Sequence, residues 1–129
     1  MFADTKAFSG FAVDDIDAAR RFYGDTLGLK TSILDEQAGL MMLNLAGDRP
    51  TIVYARPDHT PATYTILNFP VDDIEAAVDQ LAERGVSFER YDGLDQDEKG
   101  IARGQGGPPI AWFTDPAGNV LSVLEQPPS

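Results

Sequence analysis

Residues 11–19 read FAVDDIDAA and residues 69–77 read FPVDDIEAA. Seven of the nine positions are identical at an offset of 58 residues. The two differences are Ala12 against Pro70 and Asp17 against Glu75. A match of this length marks an internal duplication, and it restricts the fold more than any other feature of the chain. Whatever local structure one copy adopts, the other must adopt as well.

Each copy reads as the end of a strand and the start of a helix. KAFSGFAV (6–13) precedes the first pair of acids and YTILNFPV (64–71) the second. Alternation puts Phe8, Gly10 and Ala12 on one side of the first strand and Phe11 and Val13 on the other. In the second strand it separates Tyr64, Ile66, Asn68 and Pro70 from Leu67, Phe69 and Val71. Asp14-Asp15 and Asp72-Asp73 then suit helix N-termini, where a carboxylate caps free N–H groups and complements the dipole. Asp72 with Glu75 has capping-box spacing. These four acids are therefore read as helix caps rather than catalytic groups.

The helices are amphipathic. Ile16, Ala19, Tyr23 and Leu27 form one stripe, ended by Gly28. Ile74, Ala77, Val78 and Leu81 form the other, ended by Gly85. Strand-like runs follow each glycine: LKTSIL (29–34), GLMMLNLA (39–46) and TIVYAR (51–56), then VSFERY (86–91), IAWFT (110–114) and VLSVLEQ (120–126). AGDRP (46–50) and DPAGN (115–119) are tight turns. The reading is one α+β domain over 1–129 with two βαβββ modules, 1–56 and 64–129, joined by a Pro-rich linker at 57–63. Residues 92–108 fit neither helix nor strand and read as a flap over a cleft or a disordered loop.

Composition excludes whole classes of chemistry. The chain has 129 residues, a formal net charge of −11, no Cys and one His, His59. Disulfides, thiolate zinc sites, iron–sulfur sites and cysteine nucleophiles are out. The acidity opposes nucleic acid and anionic membranes and would favour a cationic ligand. No apolar run approaches a membrane span and no leader-like segment opens the chain, so a cytoplasmic protein is expected. His59 lies in the linker and reads as a solvated residue. No nucleophile elbow is present, and Gly104-Gln105-Gly106-Gly107 does not join a strand to a helix as a phosphate loop would.

VDDIDAARRFYGDTLGL (13–29), VDDIEAAVDQLAERGV (71–86) and WFTDPAGNVLSVLEQ (112–126) together resemble the vicinal oxygen chelate superfamily. That superfamily includes glyoxalase I, extradiol dioxygenases, fosfomycin-resistance enzymes and bleomycin-resistance proteins. The resemblance implies tandem βαβββ modules whose sheet curls around a cleft. In metal-using members four cleft-facing His, Glu or Gln side chains hold one divalent ion. The matching positions here are Phe8, Ile66, Ser122 and Thr51 or Ile52. None is a usual ligand, and Glu125 has the wrong strand parity. The resemblance therefore points to a metal-free branch with no cofactor.

With metal chemistry set aside, the cleft face is read as a ligand pocket. Its candidate binding residues are Phe8, Met42, Asn44, Tyr54, Arg56, Tyr64, Ile66, Asn68, Trp112 and Ser122. Aromatic walls with sparse polar groups suit a planar ligand. No residue is assigned a catalytic role. The first function expected is sequestration of an aromatic or cationic antibiotic or toxic metabolite at a homodimer interface, by likeness to bleomycin-resistance proteins. A second is a metal-free isomerase or lyase acting on a small carbonyl compound, with Tyr54 or Glu125 as base. A third is an accessory domain whose apolar face binds another protein.

Overall fold

In the computed structural model, residues 1–104 and 106–126 are described. The chain divides into two compact units, Met1–Thr60 and Pro61–Ser129. The fold is α+β, with a mixed four-stranded sheet and a mixed three-stranded sheet.

The first unit begins with β1 (Ser9–Val13) and α1 (Ile16–Arg20). Asp15 is the N-cap; its Oδ1 accepts from the N–H groups of Asp17 and Ala18 at 3.0 and 3.2 Å. The helix then widens into a π-helical turn, Arg21–Thr26, where the Leu27 N–H reaches the Phe22 carbonyl. Tyr23 is fully buried there between Phe11 and Phe22, with ring centroids 5.7 and 5.2 Å away. β2 (Lys30–Asp35), β3 (Leu40–Leu45) and β4 (Arg49–Ala55) complete the sheet in the order β1-β4-β3-β2. β1 runs parallel to β4, and the other pairs are antiparallel. Arg49 and Pro50, expected in the turn, extend β4 instead, and the reversal is confined to residues around Gly47 and Asp48, both at positive φ.

The second unit repeats the pattern. β5 (Thr65–Val71) leads into α2 (Ile74–Glu83), and β6 (Ile110–Thr114) and β7 (Val120–Glu125) follow. The order is β5-β7-β6, with β5 parallel to β7 and β6 antiparallel to it. Asp73, not Asp72, caps α2; its Oδ1 accepts from Ala76 N at 3.2 Å. Asp73 corresponds to Asp15 in the duplication, so both helices start at the second acid of the pair. Glu75 closes no capping box. It pairs instead with Lys99 and Arg103, at 3.7 and 3.8 Å. In the DPAGN turn, Asp115 Oδ1 accepts from Ala117 N and Asn119 N, and Asn119 Nδ2 donates to Asp115 Oδ2. This motif is a turn lock, not a site.

Side-chain parity divides each sheet. In the first, Val13, Met41, Leu43, Thr51 and Val53 are buried on one face with Ala19 and Tyr23 of the helical segment. In the second, Leu121, Val123, Ala111 and Phe113 are buried on one face with Ile74 and Val78 of α2. The even-numbered residues point the other way, toward faces that carry no helix of their own unit.

Two expectations for the second unit are corrected. VSFERY does not form a strand. Phe88 bridges Phe113, the Glu89 N–H reaches the Trp112 carbonyl, and the chain then leaves the sheet edge. The edge is finished by Ala102, which bridges Ile110. Residues 92–104, expected as a flap or a disordered loop, form a hydrogen-bonded loop. Gln96 donates to the carbonyls of Glu89 and Gly100 and accepts from Tyr91 N. Asp97 accepts from Lys99 N, Ile101 N and the Arg103 guanidinium. Ile101 and Ala102 are buried, and Lys99 pairs with Asp79 on α2 at 3.0 Å. Gln105, inside the Gly-rich stretch, lies outside the described residues. Among the described residues, no helix is long and apolar enough to cross a membrane.

Candidate ligand-binding faces

The open face of the second sheet is built in rows set by strand register. Asn68, Ser122 and Trp112 stand side by side on β5, β7 and β6. Pro70, Leu124 and Ile110 form the next row, and Thr65, Val120 and Thr114 the one on the other side. The Pro70 row is apolar, the Thr65 row carries two threonines, and the centre holds a polar pair. There Ser122, with no exposed surface, donates from Oγ to Asn68 Oδ1 at 2.5 Å. Trp112 is half-buried, and its indole meets the Tyr91 ring edge-on, 5.5 Å between centroids at 77°. Burial pushes the Tyr91 phenol above its usual value, and the charge of Glu89 adds to the shift. Tyr91 therefore stays protonated at neutral pH and serves as an aromatic support rather than a base.

The open face of the first sheet has the same construction. Gly10, Ile52, Met42 and Ser32 form one row, and Ala12, Tyr54 and Leu40 the next. Met42 is half-buried while its neighbour Met41 is fully buried on the helix side. Asn44 Nδ2 donates to Ser32 Oγ at 3.0 Å. Tyr54 is exposed on this face.

Several expected residues stand elsewhere. Phe8 and Tyr64 each precede the first residue of their strand and are 66% and 71% exposed. Ile66 falls in a register shift. Thr65 pairs with Val120 and Leu67 with Leu121, so Ile66 is the extra residue of a bulge and Thr65 takes the place opposite Val120. Arg56 follows β4, and its guanidinium turns to Asp58, with Nε and a terminal nitrogen each 3.2 Å from a carboxylate oxygen. That pairing holds the Asp58 carboxyl below its usual range. His59, expected to be solvated, has a buried Nε2 with no hydrogen-bond partner among the described residues.

The metal slots implied by the resemblance do not suit a cation. Phe8 and Ile66 offer no donor atom, and the Ser122 hydroxyl is committed to Asn68. Glu125 is no substitute. Its Oε2 accepts from Ile74 N at 3.1 Å, so it caps α2 from the helix-covered side. This also removes Glu125 as a base on the open face. Tyr91 and Ser32 are the contributors that sequence reading missed. Tyr91 reaches Trp112 because of the broken edge strand, and Ser32 follows from register between β2 and β3. Neither placement has a local signal in the sequence.

The family model described as Glyoxalase/Bleomycin resistance protein/Dioxygenase superfamily matches residues 7–123. No curated protein matches. Among solved structures, a putative glyoxalase family protein from Bacillus anthracis is 18% identical with a TM-score of 0.71, covering 98% of this chain and 99% of its own. TnmS3, an antibiotic binding protein from Streptomyces sp. CB03234, is 25% identical with a TM-score of 0.68, and 98% of each chain is covered. A superfamily member from Sphaerobacter thermophilus DSM 20745 is 22% identical with a TM-score of 0.67, covering 93% of this chain and 97% of its own.

Proposed function

Since the chain belongs to the Glyoxalase/Bleomycin resistance protein/Dioxygenase superfamily, we propose that it is a small-molecule-binding protein that sequesters its ligand unchanged. The ligand is an aromatic or cationic antibiotic or toxic metabolite, held without metal or cofactor in an aromatic cleft at a homodimer interface in the cytoplasm. The observation that carries this reading is Trp112. It is a braced indole beside a polar pair on a sheet face that its own helix leaves uncovered. An indole face binds planar rings by stacking and cations through its quadrupole. The donor set argues against metal-assisted turnover, and the capping role of Glu125 removes one of the two bases considered for a metal-free isomerase or lyase. TnmS3, an antibiotic binding protein of similar fold with 98% of each chain covered, supports the reading from outside the chain.

The test is a titration with a panel of planar antibiotics and metabolites, followed by Trp112 fluorescence, with the ligand then recovered for mass spectrometry and chromatography. Recovery of unaltered ligand at a saturable stoichiometry is expected. An altered mass or a new isomer would establish catalysis instead. Trp112→Ala, measured by calorimetry, should weaken affinity about tenfold if stacking contributes roughly 1.4 kcal/mol. Light scattering on the pure protein should report a dimer. A monomer that binds with full affinity would remove the interface from the proposal.

A further inference from the structure

The Asn68–Ser122 pair has a fixed polarity. The Ser122 hydroxyl is wholly buried and carries one proton, which needs an acceptor. Asn68 Oδ1 supplies it at 2.5 Å, a separation in the range of O–H···O bonds and too short for N–H···O. The contact therefore sets which end of the amide faces Ser122. It leaves Asn68 Nδ2, with two N–H donors, at the other end of an exposed side chain. Among the described residues that nitrogen has no protein acceptor. Asn68 and Trp112 flank Ser122 in one row across three strands. A donor and a stacking surface thus lie two strand spacings apart, roughly 10 Å between backbones, a gap that the two side chains narrow.

We propose that Asn68 is a specificity-determining residue that donates from Nδ2 to a carbonyl oxygen on the ligand while Trp112 stacks on the ligand's ring. The ligand class is then a planar aromatic ketone, or a ring with an equivalent hydrogen-bond acceptor at its rim. Ser122 acts through Asn68 as a positioning residue. It does not touch the ligand. This inference rests on the proposed binding function and narrows it, because a purely hydrocarbon or purely cationic aromatic would leave the oriented donor unused. The row also explains why a small buried hydroxyl sits among apolar neighbours on β7: it holds the amide in one orientation.

The probes are 1-indanone and indane, which share a bicyclic skeleton and differ by a carbonyl in place of a methylene. Binding is followed by NMR through the single Trp112 indole N–H and the Asn68 side-chain amide resonances. The expected result is tighter binding of 1-indanone by about fivefold, the value of one net hydrogen bond. The Asn68 amide protons should move with 1-indanone and stay still with indane. Asn68→Asp keeps an acceptor for Ser122 and removes the donor. It should erase the preference for 1-indanone over indane. Ser122→Ala should reduce the preference without reversing it. Equal affinity of the two probes in the wild type, or a preference that survives Asn68→Asp, overturns this inference and leaves aromatic binding standing. Failure of both probes to shift the Trp112 resonance overturns the inference and counts against the proposed function as well.

Discussion

Glu125 and Ser122 are three residues apart on one strand and face opposite sides of it. Ser122 belongs to the open face, and Glu125 reaches over the covered face to the first N–H of α2. A carboxylate at that position satisfies a donor the helix cannot satisfy itself and complements the helix dipole. Glu125→Ala should therefore cost about 1 kcal/mol of stability and leave ligand affinity unchanged. Thermal unfolding and calorimetry on the same variant separate the two effects. Lost affinity at unchanged stability would return Glu125 to the ligand. Strand parity set Glu125 apart from the metal slot at Ser122, yet the sequence left it a candidate base, because its contact with Ile74 lies 51 residues away in the chain and has no local signature. Ile66 shows the opposite limit. Alternation assigned it a face, and a one-residue bulge removed that assignment, because a period of two has no tolerance for an insertion.

At the scale of elements, the duplication was legible and the departures from it were not. Both helix starts, both glycine stops and the DPAGN turn follow from residue types acting over four or five positions. VSFERY carries a strand pattern yet makes a single bridge, because residues 92–104 are held beside it by Gln96 and Asp97. The polar composition of that loop reads as solvent-loving until its carboxylate and amide are seen spent on backbone groups. Asp97 is the residue to test. Partial burial pushes its carboxyl up, but the N–H groups of Ile101 and Lys99 and the Arg103 guanidinium outweigh that and hold it below its usual value. A lowered folded-state pKa gives stability that is complete above the unfolded value of about 4 and is lost as pH falls through the folded value. Asp97→Asn should therefore be less stable than the wild type at pH 7, and the gap should close in acid below about pH 4. Denaturant titrations across that range measure it. A gap that stays constant with pH would mean that the charge of Asp97 contributes nothing.

At the scale of the whole molecule, the net charge of −11 is partly accounted for and partly not. Asp15, Asp73 and Glu125 cap helices, Asp115 locks a turn, and Asp97 and Asp79 tie down the long loop. These roles explain why acids stand at those positions and do not cancel the field they produce. A field of this sign speeds the arrival of cations and falls with ionic strength, whereas stacking and a neutral hydrogen bond do not depend on salt in that way. A cationic aromatic and its neutral isostere should therefore respond differently when sodium chloride is raised from about 0.02 to about 0.5 M, where the Debye length shrinks from roughly 20 Å to roughly 4 Å. Stopped-flow quenching of Trp112 separates association from dissociation. The cation should lose association rate, with little change in dissociation, and the neutral compound should lose neither. If the two compounds respond alike, the charge acts only on solubility, and the ligand is chosen by the open sheet face alone.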